Sequence, residues 1–229
     1  MAGKRHFDTD LFEFLRELAE NNNREWFLAN KDRYRASVQE PLLGFISDFA
    51  GRLHEISPNF IADPRPSGGS MFRIYRDVRF SKDKSPYKTH AAAQFRHRAG
   101  RDAHAPGFYL HLEPGSVFGG AGLWHPQRAV LDEIRNAIID HPDEWRETLG
   151  EPRFAKRHDL SGESLKRAPR GYDSEHPLIE DLKRKDFVCV ERFTQKEASS
   201  AGFLDVFAES CRAAGPFVRF LTEAVGQEF

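Results

Sequence analysis

Phe72-Arg73-Ile74-Tyr75-Arg76-Asp77-Val78-Arg79-Phe80 is where the chain changes its period. Before it, apolar residues recur three and four apart; from here on they alternate with polar ones, the spacing of a half-buried strand. Read as a strand over 71–80, the stretch presents Arg73, Tyr75, Asp77 and Arg79 on one face and Phe72, Ile74, Val78 and Phe80 on the other. Arg76 is an intruder on the apolar side. It has to bend out through a bulge or meet a carboxylate, because an unpaired buried charge is too costly.

Upstream, Asp10 and Glu13 have capping-box spacing, and Leu11, Phe12, Phe14, Leu15 and Leu18 follow at helical spacing. Asn21, Asn22 and Asn23 read as a helix stop, a second helix starts near Arg24, and Pro41 opens a third with Leu42, Phe45, Ile46, Phe49 and Leu53 on one side. A Pro/Gly loop at 64–69 ends this helical third. Downstream, 90–96, 108–113 and 117–122 are short, aromatic-rich strands of an antiparallel meander, with 96–105 as a long basic hairpin connection. Helices are expected from Pro126 and around Trp145. A polar, turn-rich stretch at 151–185 holds one helical piece at 178–182. A last strand at 187–192 precedes two helices, 203–213 and 217–225, broken at Gly215-Pro216. The expected class is therefore α+β in one domain over 1–229. N-terminal helices (8–56) lead to a central antiparallel meander (70–124), then helices and loops (125–185), then the last strand and C-terminal helices (186–229) packed on the sheet.

The chain has 229 residues and a net charge of −1, which predicts no whole-molecule attraction to nucleic acid or membranes. The balance is local, however: residues 65–101 carry ten Lys or Arg against two Asp, an excess of +8. Cys189 and Cys211 form no CxxC and read as reduced core residues. No apolar run reaches membrane length, no signal peptide is recognised, and the expected location is the cytoplasm.

The residues that carry chemistry cluster around the opening stretch. Alternation on the neighbouring strands adds His90, Gln94, Tyr109, His111 and Glu113 to the face of Arg73, Tyr75 and Arg79. Guanidiniums with Tyr hydroxyls and a His suit a phosphorylated or otherwise anionic small molecule. On this reading Arg73, Arg76, Arg79 and Lys88 hold the anion, and Tyr75 and Tyr109 orient it. His111 or His90 carries the proton if there is catalysis, and Asp77 or Glu113 fixes the imidazole tautomer. Residues 81–86 form a turn whose lysines steer an anion or keep the loop soluble, and 166–172 is an ordered loop that can close over the sheet. A rival reading is a nucleic-acid-binding module using 65–101, with Tyr75, Phe80 and Tyr87 for stacking. Another is a protein–protein adaptor with structural arginines. His111, Glu113 and His90 offer metal-type donors, but without HExxH or a His/Cys cluster no metal is assigned, and no cofactor is identified. Glycines 115–122 lack both the P-loop and the dinucleotide spacing, and read as a bulged strand packed closely under Trp124. No serine or cysteine sits in a nucleophile elbow.

The sequence resembles the family of conserved proteins known as domain of unknown function 2461. The resemblance rests on Asn22-Asn23-Arg24-Glu25-Trp26-Phe27 with Asn30-Lys31 and Tyr34, on residues 72–90, on 107–114 and on Gly120-Ala121-Gly122-Leu123-Trp124. It continues through 165–172 and His176-Pro177. It implies one domain of mixed α and β structure and a soluble protein, and supplies no activity, cofactor or site residue.

Overall fold

The structure is a computed structural model that describes residues 3–100 and 105–229. Part of the expected 96–105 connection lies outside the described residues.

The fold is α+β. The N-terminal helices are α1 (Thr9–Glu20), α2 (Arg24–Ala29), α3 (Lys31–Tyr34) and α4 (Glu40–Ile56); a single π turn, Arg35–Gln39, joins the last two. The α1 cap is Asp8, not Asp10: the Asp8 carboxylate accepts the Asp10 and Leu11 amides. Asn23 starts a helix instead of stopping one, its side chain accepting the Trp26 amide.

Strands β1 (Ala91–Arg96), β2 (Gly107–Glu113), β3 (Ser116–Leu123), β4 (Asp159–Ser161) and β5 (Phe187–Phe193) form one antiparallel sheet in the order β1-β2-β3-β5-β4. The first three make the expected meander. β4 is a three-residue edge strand that sequence periodicity cannot reveal at such length. Between them lie α5 (Arg128–Asp140), α6 (Pro142–Gly150), α7 (Pro152–Arg157) and α8 (Ile179–Leu182), and α9 (Gln195–Ala198) follows β5.

The last helix, α10 (Phe203–Ala224), runs unbroken through Pro216, where two helices were expected. Proline removes one backbone bond, but Phe207, Phe217, Val218 and Leu221 are all buried, and their packing holds the helix on course. One face of the sheet (Phe95, Phe108, Leu110, Leu112, Leu123, Phe187) packs under α1, α4 and α10, with Phe95 4.7 Å from Phe49 and 5.9 Å from Phe207 between ring centres. Gly119 allows this approach, since a Cβ there would lie 3.3 Å from the Phe193 and Phe207 rings. The close packing of the glycine strand is thus against these rings, while Trp124 is half-exposed with its ring edge-on to His125. Gly122 (φ 114°) lies so near Phe187 that a Cβ would meet its carbonyl oxygen at 2.0 Å. Cys189 and Cys211 are buried free thiols. Among the described residues no helix is long and apolar enough to cross a membrane.

Residues 71–80 are not a strand. Met71 bridges Ala93 on the free edge of β1, and Tyr75 bridges Tyr87 in a two-residue ladder. Three residues lie between Met71 and Tyr75 and five between Tyr87 and Ala93, so two extra residues, Thr89 and His90, bulge out between the two bridges. The 166–172 loop lies against α5 instead of closing over the sheet: Tyr172 donates to Asn136 Oδ1 at 3.2 Å, and its ring faces the Arg135 guanidinium.

Asp186 ties the end of β3 to the 162–163 turn. It is fully buried and accepts the His125 amide at 2.8 Å and the Glu163 amide at 2.9 Å, with the His125 ring 3.2 Å away. Asp186→Ala strands both amides and should cost about 3 kcal/mol in denaturant unfolding, the sum of two unmet buried donors.

His158 is buried beneath α10, with Ser210 at 3.3 Å, Glu191 of β5 at 4.0 Å, and Arg157 and Asp159 adjacent in the chain. Burial holds its pKa below the ordinary value, against the pull of Glu191. The unfolded chain therefore takes up this proton first on acidification, and stability falls as pH drops below about 6.5. Melting followed from pH 7 to 5 should show a shallower decline in His158→Gln than in wild type.

Candidate functional site

The period-two geometry of β2 creates the site. Tyr109, His111 and Glu113 stand on the face opposite Leu110 and Leu112, spaced about 6.6 Å apart along the strand, so the central imidazole can reach both neighbours. The Tyr109 hydroxyl lies 2.9 Å from His111 Nδ1, and His111 Nε2 lies 3.2 Å from Glu113 Oε2. A carboxylate can only accept, so Nε2 carries the proton and Nδ1 accepts from the Tyr109 hydroxyl. Thr89 Oγ1 donates to the other Glu113 oxygen at 3.0 Å, which fixes the carboxylate. Phe118, directly across on β3, stacks on the His111 ring at 4.6 Å.

The bulge at 89–90 brings His90 against this row, its ring 4.5 Å from that of His111. Burial, His111 and Lys88 together push its pKa down to about 4, with Glu113 opposing; burial likewise lowers His111. Both imidazoles are therefore neutral at neutral pH. Burial raises the pKa of the Tyr109 hydroxyl, so it keeps its proton.

Lys88 is half-buried over the Phe72 ring, 5.1 Å from its centre, and burial followed by Arg73 lowers its pKa. Phe72 in turn meets Tyr109 edge-on at 6.0 Å. Neither Lys88 nor Arg73 has a carboxylate partner among the described residues.

The single polar face expected from alternation is thus divided. Phe72 amide donates to the Ala92 carbonyl, and the Phe72 ring, not Arg73, comes to lie on the Tyr109 face. Arg73 sits at the sheet edge, and Tyr75 packs on Tyr87 (5.4 Å) and Phe27 (6.3 Å) beside the N-terminal helices. Asp77 and Arg79 leave the site altogether. They pair with each other in the exposed loop, where the guanidinium holds the Asp77 carboxyl down at about 2, and Asp77 orients no imidazole. Arg76 finds its carboxylate in Asp83, which also accepts the Ser85 amide and hydroxyl and so builds the expected 81–86 turn. Phe80, expected on the apolar side, is 95% exposed because the chain has left the sheet by then. Of the residues read from sequence, the structure gathers His90, Tyr109, His111, Glu113 and Lys88, with Arg73 alongside. Sequence reading missed Thr89 and Phe118, whose roles depend on the bulge and on cross-strand register.

The same geometry brings together the donors to which the sequence assigned no metal. His90, His111 and Glu113 each offer one ligand atom, all within 4.8 Å of one another. Two imidazoles and a carboxylate are a donor set for zinc with an open fourth position. Tyr109 on the far nitrogen of His111 would be its outer partner.

No curated protein matches the sequence. Residues 10–220 match the family described as conserved hypothetical protein (DUF2461), so the chain belongs to that family.

Proposed function

We propose that this sheet face binds a phosphorylated or otherwise anionic small molecule and takes a proton from it. The observation that carries the reading is the chain Tyr109–His111–Glu113, with Lys88 beside His90 and Arg73 near Lys88, neither cation having a carboxylate partner among the described residues. Lys88 and Arg73 neutralise the anion, and the neutral His90 ring adds a donor. With its own proton committed to Nδ1, the Tyr109 oxygen turns a lone pair to the ligand. A proton leaving the ligand passes to that oxygen while the tyrosine proton moves to His111. The imidazolium formed is stabilised by Glu113, and no tyrosinate accumulates, in keeping with the raised Tyr109 pKa.

Titration calorimetry with inorganic phosphate and sugar phosphates tests the binding half. Lys88→Met and Arg73→Ala should each weaken affinity about tenfold or more, the effect of losing a charge-assisted bond. Wild-type affinity in both variants would discard the reading. Tyr109→Phe should retain binding and lose proton transfer. Oligonucleotides that bind with a steep salt slope would instead favour the nucleic-acid reading of residues 65–101. A protein that binds neither would favour the adaptor reading.

The triangle of His90, His111 and Glu113 supports a second reading, a divalent metal centre. Here His111 Nε2 would ligate the ion, and the tautomer would reverse so that Nδ1–H donates to Tyr109. Zinc at 100 times its dissociation constant should then stabilise the protein by about 2.7 kcal/mol. His90→Ala should abolish that gain, and an unchanged melt with zinc would remove the metal reading.

A further inference from the structure

A second feature adjoins this face on its helix side. Between the π turn and residues 71–75 lies a cleft of about 180 Å³, with a hollow of about 250 Å³ next to it; Arg73 lines both. Its walls are Phe27, Tyr34, Ile74 and Tyr75, and its cations are Lys31, Arg35 and Arg73. No carboxylate lines it. Arg35 is held by Asp32 at 3.2 Å, but Lys31 and Arg73 make no ion pair among the described residues.

We propose that this cleft binds a flat ring bearing an anionic group, so that the ligand's ring lies between Tyr75 and Tyr34 while its anion reaches Arg73 and Lys88. The inference rests on the anion reading above and adds the chemical class of the ligand.

Three observations carry it. First, Tyr34 lines the cleft with its ring buried, and its hydroxyl makes no hydrogen bond among the described residues and is not sealed from solvent. A ligand atom in the cleft would take the place of water on that hydroxyl. Second, Tyr75 is half-exposed and leans on Tyr87 and Phe27, leaving an aromatic surface for stacking. Third, the π turn is an uncommon break in an otherwise helical run, of a kind that recurs at functional sites. Here Arg35 and Gln39, at its two ends, both line the cleft. The volume sets the size. It falls below the roughly 300–1,000 Å³ of a drug-sized pocket, which suits a single ring with its acid group at the mouth. A bare inorganic anion would leave the Tyr34 hydroxyl and the aromatic wall unused.

Phenyl phosphate, inorganic phosphate and phenol are the probes, titrated into the whole chain. Phenyl phosphate should bind about tenfold more tightly than inorganic phosphate, the gain expected of one aromatic stack. Tyr34→Phe, which deletes only the hydroxyl, and Tyr75→Ala should each remove most of that preference and leave inorganic phosphate affinity as in wild type. Lys31→Ala, on the exposed rim, should weaken phenyl phosphate binding several-fold without changing the melting temperature. Equal affinity for the two phosphates, or a preference that survives both tyrosine variants, overturns the inference and leaves the anion reading standing. Failure of both phosphates to bind overturns the two together.

Discussion

The two-residue repeat of β2 is the constraint on which both the core and the candidate site depend. Phe108, Leu110 and Leu112 point into the helices, and this obliges Tyr109, His111 and Glu113 to share the other side. Because a strand cannot slip by one residue without exchanging its faces, any shift that freed the site would also expose the core. Burial of Phe95, Phe108 and Leu110 against α4 and α10 therefore fixes the spacing of the proton chain. The register with β3 completes it, placing Phe118 opposite His111, where a stacked ring keeps the imidazole in one orientation.

Where the chain is regular, the sequence could be read. The strands at 91–96, 107–113 and 116–123 follow their alternation, and α1 and α4 follow their apolar stripes. The stretch at 71–90 misled because its alternation is real while its hydrogen bonding is not. Arg73, Tyr75, Asp77 and Arg79 are all exposed, as a strand would have them, but only short bridges hold the backbone. The two-residue bulge shifts the register, and no local pattern encodes a bulge whose cause is tertiary. The break expected at Pro216 failed for the opposite reason: a local rule was overridden by burial on both sides of the proline. Contacts such as Asp186 with His125 are 61 residues apart and leave no periodic trace.

The excess of +8 in residues 65–101 looks like a surface for polyanions when counted along the chain. In space much of it is consumed locally. Arg65 is held by Asp63, Arg76 by Asp83 and Arg79 by Asp77, and Lys84 donates to the Val78 carbonyl. Such exposed pairs add little stability, but they remove reach, since each guanidinium is turned toward its own carboxylate. Lys88 lies next to His90, with Arg73 near it at the sheet edge, an arrangement that on the proposed reading suits a compact anion better than an extended one.

Neutral histidines make that preference consistent. Two imidazoles with ring centres 4.5 Å apart beside Lys88 would repel one another if charged, and burial already disfavours the charged forms. The site therefore rests with two fixed cations, the Glu113 carboxylate and two uncharged imidazoles. On the proposed reading, an arriving anion would lower the cost of a positive His111 and make the imidazole a better proton acceptor. Proton affinity at His111 and anion affinity at Lys88 and Arg73 would then be linked through one local field. The partial burial that lowers both histidines also strengthens that field.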